Sequence, residues 1–275
     1  MGRMSPRRAL AFGAAGLVAG AAAGLFGIGG GILFVPILTA FFGKRTQDAA
    51  ATSLAVIIVI SVVGTLTYHF GLQRAGGGDL RWDLALYMLV GSVAGSALIG
   101  VPLASQVSSA ALRRYFGVFL MLVGLRMALA PHYGEGVLPS SPLVVIAGGL
   151  VAGALSGFFG IGGGIVAVPV LVMAFGLAQR VAQATSILVA GPTGLAGVIR
   201  AQLTPNIHVD YHAAALMAPA SILGTWLGAR LATASADQPL QQSFGVVTVI
   251  IGVRMAGLVQ AAANRRAAAA APKEG

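Results

Sequence analysis

The sequence has no cysteine, few charges and very few acids. Without cysteine there is no disulfide framework, no thiolate metal site and no thiol chemistry. Only 9% of the 275 residues are charged, against about 25% in an ordinary soluble domain. Asp and Glu together number 7, and none sits in the middle of an apolar segment: Asp48, Asp79, Asp83, Glu135, Asp210, Asp237 and Glu274 all fall in loops or at segment ends. That excludes a carboxylate relay for pumping and a buried acidic cluster for a metal or a cationic substrate. No Ser-His-Asp, Cys-His or His-metal spacing appears, so nothing supports an enzyme and no cofactor is expected. The net charge is +10, yet the Lys and Arg residues are scattered in short loops and at the termini. No basic face is interleaved with aromatics, which argues against nucleic acid as a partner.

What is present is apolar. Hydrophobic residues make up 57% of the chain and the mean hydropathy is +0.89. Uncharged windows of about 18 residues or more recur along the length, the signal of membrane helices rather than of a soluble core. Apolar segments lie near residues 9–43, 49–70, 84–104, 109–130, 142–178, 182–199, 211–233 and 239–263. Arg3, Arg7 and Arg8 before an apolar run imitate a secretory signal, but the run continues into a repeated motif and reads as a retained first membrane helix.

That motif is GLVAGAAAGLFGIGGGILFVPIL from Gly16 to Leu38, and it returns as GLVAGALSGFFGIGGGIVAVPVL from Gly149 to Leu171. At the one offset that puts Gly16 on Gly149, Gly20, Gly24, Ile28, Gly31, Val35, Pro36 and Leu38 meet identical residues, and Ala51-Thr52-Ser53 meets Ala184-Thr185-Ser186. Further on, Phe116-Gly117, Gly124 and Arg126-Met127 match Phe244-Gly245, Gly252 and Arg254-Met255. The chain reads as an internal duplication. Its parts are an N-terminal cytoplasmic segment (1–8), repeat 1 (9–131), a linker (132–141), repeat 2 (142–263) and a tail (264–275).

The uncharged stretch from residue 9 to 43 would be roughly 50 Å long as one straight helix, against a hydrocarbon core of about 30 Å. Residues 141–180 raise the same difficulty. Each glycine-broken segment is therefore expected to descend, turn at Gly-Ile-Gly-Gly-Gly and return as a shorter helix ending near Lys44 or Arg180. Such a turn inverts the two halves. With the N-terminus inside, and leaving aside Arg126 and Arg254, it collects Arg3, Arg7, Arg8, Lys44, Arg45, Arg113, Arg114, Arg200, Arg265, Arg266 and Lys273 on the cytoplasmic side against Arg74, Arg81, Arg180 and Arg230 outside. Straight crossings distribute these cations more evenly. The expected fold is an all-α polytopic membrane protein with two homologous, inverted repeats of four to five membrane segments each, each opening with a glycine-broken helical hairpin. Inverted repeats with discontinuous helices are a recurrent plan of secondary transporters.

A broken helix in lipid leaves backbone N–H groups unpaired unless protein or a water-filled cavity covers them. Gly16, Gly20 and Gly24, with Gly153 and Gly157, form small-residue stripes that pack helices. Gly27, Gly29, Gly30 and Gly31, with Gly160, Gly162, Gly163 and Gly164, are different. Consecutive glycines permit left-handed angles and turn successive N–H groups into a concavity, and the following helix adds the positive end of its dipole. Either this is an anion nest, or it is a tight turn whose glycines relieve crowding. The spacing lacks G-x-G-x-x-G, so it is not a nucleotide loop. Thr52, Ser53, Thr185 and Ser186 either donate hydroxyls to an anion or satisfy nearby carbonyls. Pro36 and Pro169 kink the returning helices. Tyr68 and His69 read as an interfacial pair.

These residues resemble a known family. A doubled G-x-x-x-G-x-x-x-G-x-x-G-I-G-G-G-x-x-x-V-P-x-L, each copy followed by an Ala-Thr-Ser helix, is similar to the sulfite exporter TauE/SafE family, also described as the toluene sulfonate uptake permease family, over roughly residues 10–260. The resemblance implies transport of sulfite or organosulfonate anions across a bacterial inner membrane, and the charge distribution places both termini on the cytoplasmic side. On this sequence the implied substrate-binding positions are the two glycine clusters with Thr52-Ser53 and Thr185-Ser186. The expected function is a secondary transporter of a small sulfur-containing anion, exporting it by alternating access between the repeats. An uncoupled anion channel and a membrane subunit of a larger assembly stay open as alternatives, and so does a homodimer. The lipid bilayer and the anion are the partners.

Overall fold

The computed structural model describes residues 6–75, 80–129 and 141–257. The N-terminal five residues, most of the expected linker and the tail beyond 257 lie outside the described residues. Among the described residues the ordered elements are all helical. Helix α1 (Pro6–Phe26) is followed by α2 (Gly31–Ala40), α3 (Thr46–Ala75) and α4 (Trp82–Ala94), which runs through a π-helical stretch (Gly95–Gly100) into α5 (Val101–Ser105). Helix α6 (Ser109–Leu129) precedes α7 (Pro142–Phe159) and α8 (Gly164–Pro169), which continues as a π-helical stretch (Val170–Ala174). Helices α9 (Gln179–Gln202), α10 (Tyr211–Ala234) and α11 (Asp237–Met255) complete the order. Five of the described helical segments are long and apolar enough to cross a membrane: Arg8–Phe26, Thr46–Arg74, Trp82–Ser105, Pro142–Phe159 and Gln179–Gln202.

The ends of these elements follow from the residues there. Left-handed Gly27 and Gly160 stop α1 and α7, at φ +65° and +70°. Gly43 (φ +65°) and Gly176 (φ +67°) end the returning helices, where the next N–H reaches back six residues, Lys44 to the Leu38 carbonyl and Leu177 to the Leu171 carbonyl, both at 3.1 Å. Glycine permits this left-handed turn at the helix end because it has no Cβ. Asp210 caps α10 by accepting from the Ala213 N–H at 2.8 Å. Past Pro169, whose ring cannot complete the α-helical ladder, α8 widens into its π-helical stretch.

Each returning helix folds back along the one before it. The Phe12 ring, early in α1, stacks on Phe42 just past α2, with centroids 3.9 Å apart and planes 12° from parallel. Gly148 in α7 likewise lies beside Val170 and Phe175. Thus α1 and α2 form a helical hairpin, and so do α7 and α8.

Glycine decides how the helices then pack. A Cβ on Gly16, Gly20 or Gly24 would run into the backbone carbonyls of Met217, Ser221 and Thr225, so α1 lies against α10, backbone to backbone and in the same direction. In the same way Gly149, Gly153 and Gly157 set α7 on Met88, Ser92 and Ser96, running parallel to α4. The inner pair, α3 and α9, is antiparallel, with Gly64 on Ile187, Gly191 on Ser61 and Gly197 on Leu54. The pair α6 and α11 is antiparallel too, Gly117 facing Gly252 and Gly124 facing Gly245. Where lipid offers no hydrophobic drive between helices, such small-residue contacts supply the van der Waals closeness that holds them together.

Candidate functional site

Both glycine breaks lie at the centre of this packing and touch each other. A Cβ on Gly31 would overlap the Ile161 Cα, and one on Gly164 would overlap the Ile28 Cα. Ile57 in α3 lies against both Gly29 and Gly162. Each break also rests on the first turns of the other half's long helix: Gly27 on Gln183, and Gly160 on Ala50. Gly27, Gly29 and Gly30 have φ of +65°, +68° and +80°, and Gly160, Gly162 and Gly163 have +70°, +70° and +83°. Residues with a Cβ avoid this region at a cost of about 1–2 kcal/mol. The zone is closed to solvent, Ile28 and Ile161 being 1% and 0% exposed.

The hydroxyls singled out in the sequence divide. Ser53 donates to the Gly160 carbonyl at 2.8 Å, tying α3 to the opposite break. The Thr52 hydroxyl donates to the Asp48 carbonyl (2.6 Å) and accepts from the Asp210 N–H (3.0 Å), and the Thr185 hydroxyl donates to the Val181 carbonyl at 2.8 Å. These two threonines satisfy backbone groups, as membrane-helix threonines commonly do. Ser186 is buried and its Oγ has no partner.

Tyr68 is a correction. Rather than an interfacial anchor it is fully buried, its hydroxyl donating to the Gly24 carbonyl at 2.7 Å and lying 3.1 Å from Gln183 Oε1. Gly24 is in the last turn of α1, where carbonyls have no helical partner, so Tyr68 closes the end of that helix. Gln183 Nε2 is left buried without a partner beside Gly27, one turn from Ser186 on α9.

At the second break the surroundings are also polar. Beside Gly163, within 3.8 Å of where a Cβ would stand, are Ser92 Oγ and Ser156 Oγ. Thr193 donates to Ser92 at 2.9 Å, while Ser156 Oγ and the nearby Ser96 Oγ are buried with no partner. An unsatisfied buried donor costs about 1–3 kcal/mol. Several of them gathered at the two breaks mark a zone suited to a ligand that accepts hydrogen bonds. Ser92, Ser96, Ser156 and Thr193 escape a reading of the sequence, though one signal was available: Ser156 interrupts the repeated motif where the first copy has Ala23.

No group of three or more His, Cys, Asp or Glu clusters among the described residues. Three ion pairs, Lys44–Asp210, Arg81–Asp83 and Arg180–Asp237, lie away from the breaks.

Apolar spanning helices, two glycine-broken hairpins meeting at the centre and no acid in the middle of a span define a polytopic helical membrane protein. Residues 11–255 match the family described as Sulfite exporter TauE/SafE, and the chain belongs to that family of membrane transporters. It is 30% identical to a protein of Methanocaldococcus jannaschii over 87% of this chain and 92% of the relative. A Bacillus subtilis protein is 28% identical over 87% and 94%, and one from Xylella fastidiosa is 30% identical over 88% and 92%. All three are called probable membrane transporter proteins. No solved structure matches the chain.

Proposed function

We propose that the chain is a secondary transporter of a small sulfur-containing anion, sulfite or an organosulfonate, working as an exporter. The observation that carries this is the contact of the two glycine breaks at Gly31–Ile161 and Gly164–Ile28, with partnerless buried donors at Ser186, Gln183 and Ser156 around it. Left-handed glycines turn backbone N–H groups to one side, and the start of α2 adds its dipole, so an anion is held without a cationic side chain. The binding set is Gly27, Gly29, Gly30, Gly31 and Ser186 with Gly160, Gly162, Gly163 and Gly164, while Ser53, Thr52 and Thr185, whose hydroxyls donate to carbonyls, hold the turns beside them. The family description supplies sulfite and export.

Residues 9–131 and 142–263 act as inverted repeats, and the antiparallel course of α3 against its sequence counterpart α9 supports that arrangement. Rocking of one half against the other opens the central zone to each face in turn. The site lies in a bacterial inner membrane with both termini cytoplasmic.

Proteoliposome flux tests the reading. The purified chain should carry sulfite saturably and show counterflow, and Gly30→Val and Gly163→Val should lose both while still inserting in the membrane. Undiminished sulfite flux in the double variant would remove the glycine breaks from the site.

A further inference from the structure

At the membrane face opposite Asp210, the last turns of α3 and α10 bound a cleft of about 620 Å³. Arg74 and Arg230 both line it, and neither guanidinium has a carboxylate partner among the described residues. Arg230 lies over the Trp226 ring, 5.0 Å from its centre, a cation–π contact that steadies the side chain and leaves its N–H groups without a hydrogen bond among the described residues. Two like charges sharing one cleft without a counter-ion repel each other, and an anion between them relieves this.

The walls say which anion. Leu66, Phe70 and Trp226 are 52%, 54% and 42% exposed, and they stand on the outer surface of helices at the level where spans end, the level at which tryptophan meets lipid headgroups. The volume is that of a drug-sized ligand, far more than a three- or four-oxygen anion fills. A ligand with an anionic head for the arginines and an apolar tail for these walls matches the site. We propose that this cleft binds the headgroup of an anionic phospholipid. Bound there, the lipid clamps α3 to α10 across the two halves, outside the central zone assigned to transport.

The test is thermal unfolding of the purified full chain in detergent, with phosphatidylglycerol, phosphatidylcholine or inorganic phosphate added separately. Phosphatidylglycerol should raise Tm saturably, and the other two should not. Each arginine should account for about fivefold in apparent affinity, so Arg74→Gln/Arg230→Gln should need roughly twenty-five times more phosphatidylglycerol for the same shift. Arg114→Gln, an exposed cation at the other face, should leave the titration unchanged. Equal shifts with phosphatidylcholine, an unaltered titration in the double variant, or no shift at all would overturn the proposal. A shift with inorganic phosphate matching that of the lipid would overturn it as well, making the cleft a small-anion site.

Discussion

Gly30 and Gly163 share nearly the same backbone angles, φ +80° and +83°, in sharply different surroundings. A Cβ on Gly30 would fall 2.5 Å from the Phe34 ring and 3.1 Å from the Ala23 methyl, whereas at Gly163 nothing comes closer than 3.7 Å. Gly163→Ala should therefore cost only the left-handed penalty of about 1–2 kcal/mol, and Gly30→Ala should cost more. Thermal unfolding of the two variants in one detergent checks this, and equal losses would mean that Phe34 yields freely. Tyr68→Phe belongs to the same scale. It leaves the Gly24 carbonyl at the end of α1 without its donor, and an expected loss of about 1–3 kcal/mol is read in the same experiment. A variant as stable as the parent would show that another group takes over that carbonyl.

At the scale of the element, α1 depends on the side it turns to α10. Gly20 has the Ser221 backbone where a side chain would begin, while Gly13 on the same helix has nothing within 4 Å. Gly20→Leu should separate the helices and abolish recovery of monodisperse protein, and Gly13→Leu should be tolerated, as size-exclusion profiles after membrane extraction will report. Gly153→Leu, which would push α7 off Ser92, should fail like Gly20→Leu. Equal recovery of all three would mean that backbone contact is dispensable at these pairs. The hairpins belong to this scale as well: a left-handed glycine at each end sets how long α2 is and where it stops.

For the whole molecule, the antiparallel pair α3 and α9 places the start of one beside the end of the other. Arg45, whose guanidinium donates to the Asn206 carbonyl at 3.2 Å, marks one face, and Gln238 in the first turn of α11 marks the other. The chain has no cysteine of its own, so Arg45→Cys and Gln238→Cys each carry a single thiol. The proposed orientation, both termini cytoplasmic, predicts that an impermeant maleimide added to intact cells labels Gln238→Cys and not Arg45→Cys, and labelling of Arg45→Cys alone would overturn it. The Lys44–Asp210 ion pair ties the α2–α3 connection to the start of α10 on the first face. Burial raises the Asp210 pKa, but hydrogen bonds from Lys44 and the Ala213 N–H, with the Lys44 charge, outweigh it and hold the carboxyl below its ordinary 3.8. The contribution is thus present above that value and lost as pH falls through the lowered one. With Asp210 37% exposed, solvent screening keeps it under about 1 kcal/mol. Asp210→Asn, which can still cap α10, should be slightly less stable than the parent at neutral pH, with the difference closing in strong acid. A difference that persists there would assign it to something other than charge.

Much of this was legible in the residues because it is local. A run of apolar residues too long for one crossing, broken by glycines that accept positive φ without steric cost, specifies a hairpin; of the unbroken runs, those near 49–70, 84–104 and 182–199 form helices long and apolar enough to span, while those near 109–130, 211–233 and 239–263 form helices outside that set. The small-residue stripes announced close packing without naming the partner. What only the tertiary structure decided involves groups far apart in the chain: that α1 lies along α10, that Tyr68 closes α1 instead of facing lipid headgroups, that Thr52 and Thr185 bond to backbone while Ser156 and Ser186 stay without partners, and that Arg74 and Arg230 share one cleft. A hydroxyl or a guanidinium has the same chemistry at every position in a sequence. Whether it is satisfied depends on which distant backbone or charge the packing brings within about 3 Å of it.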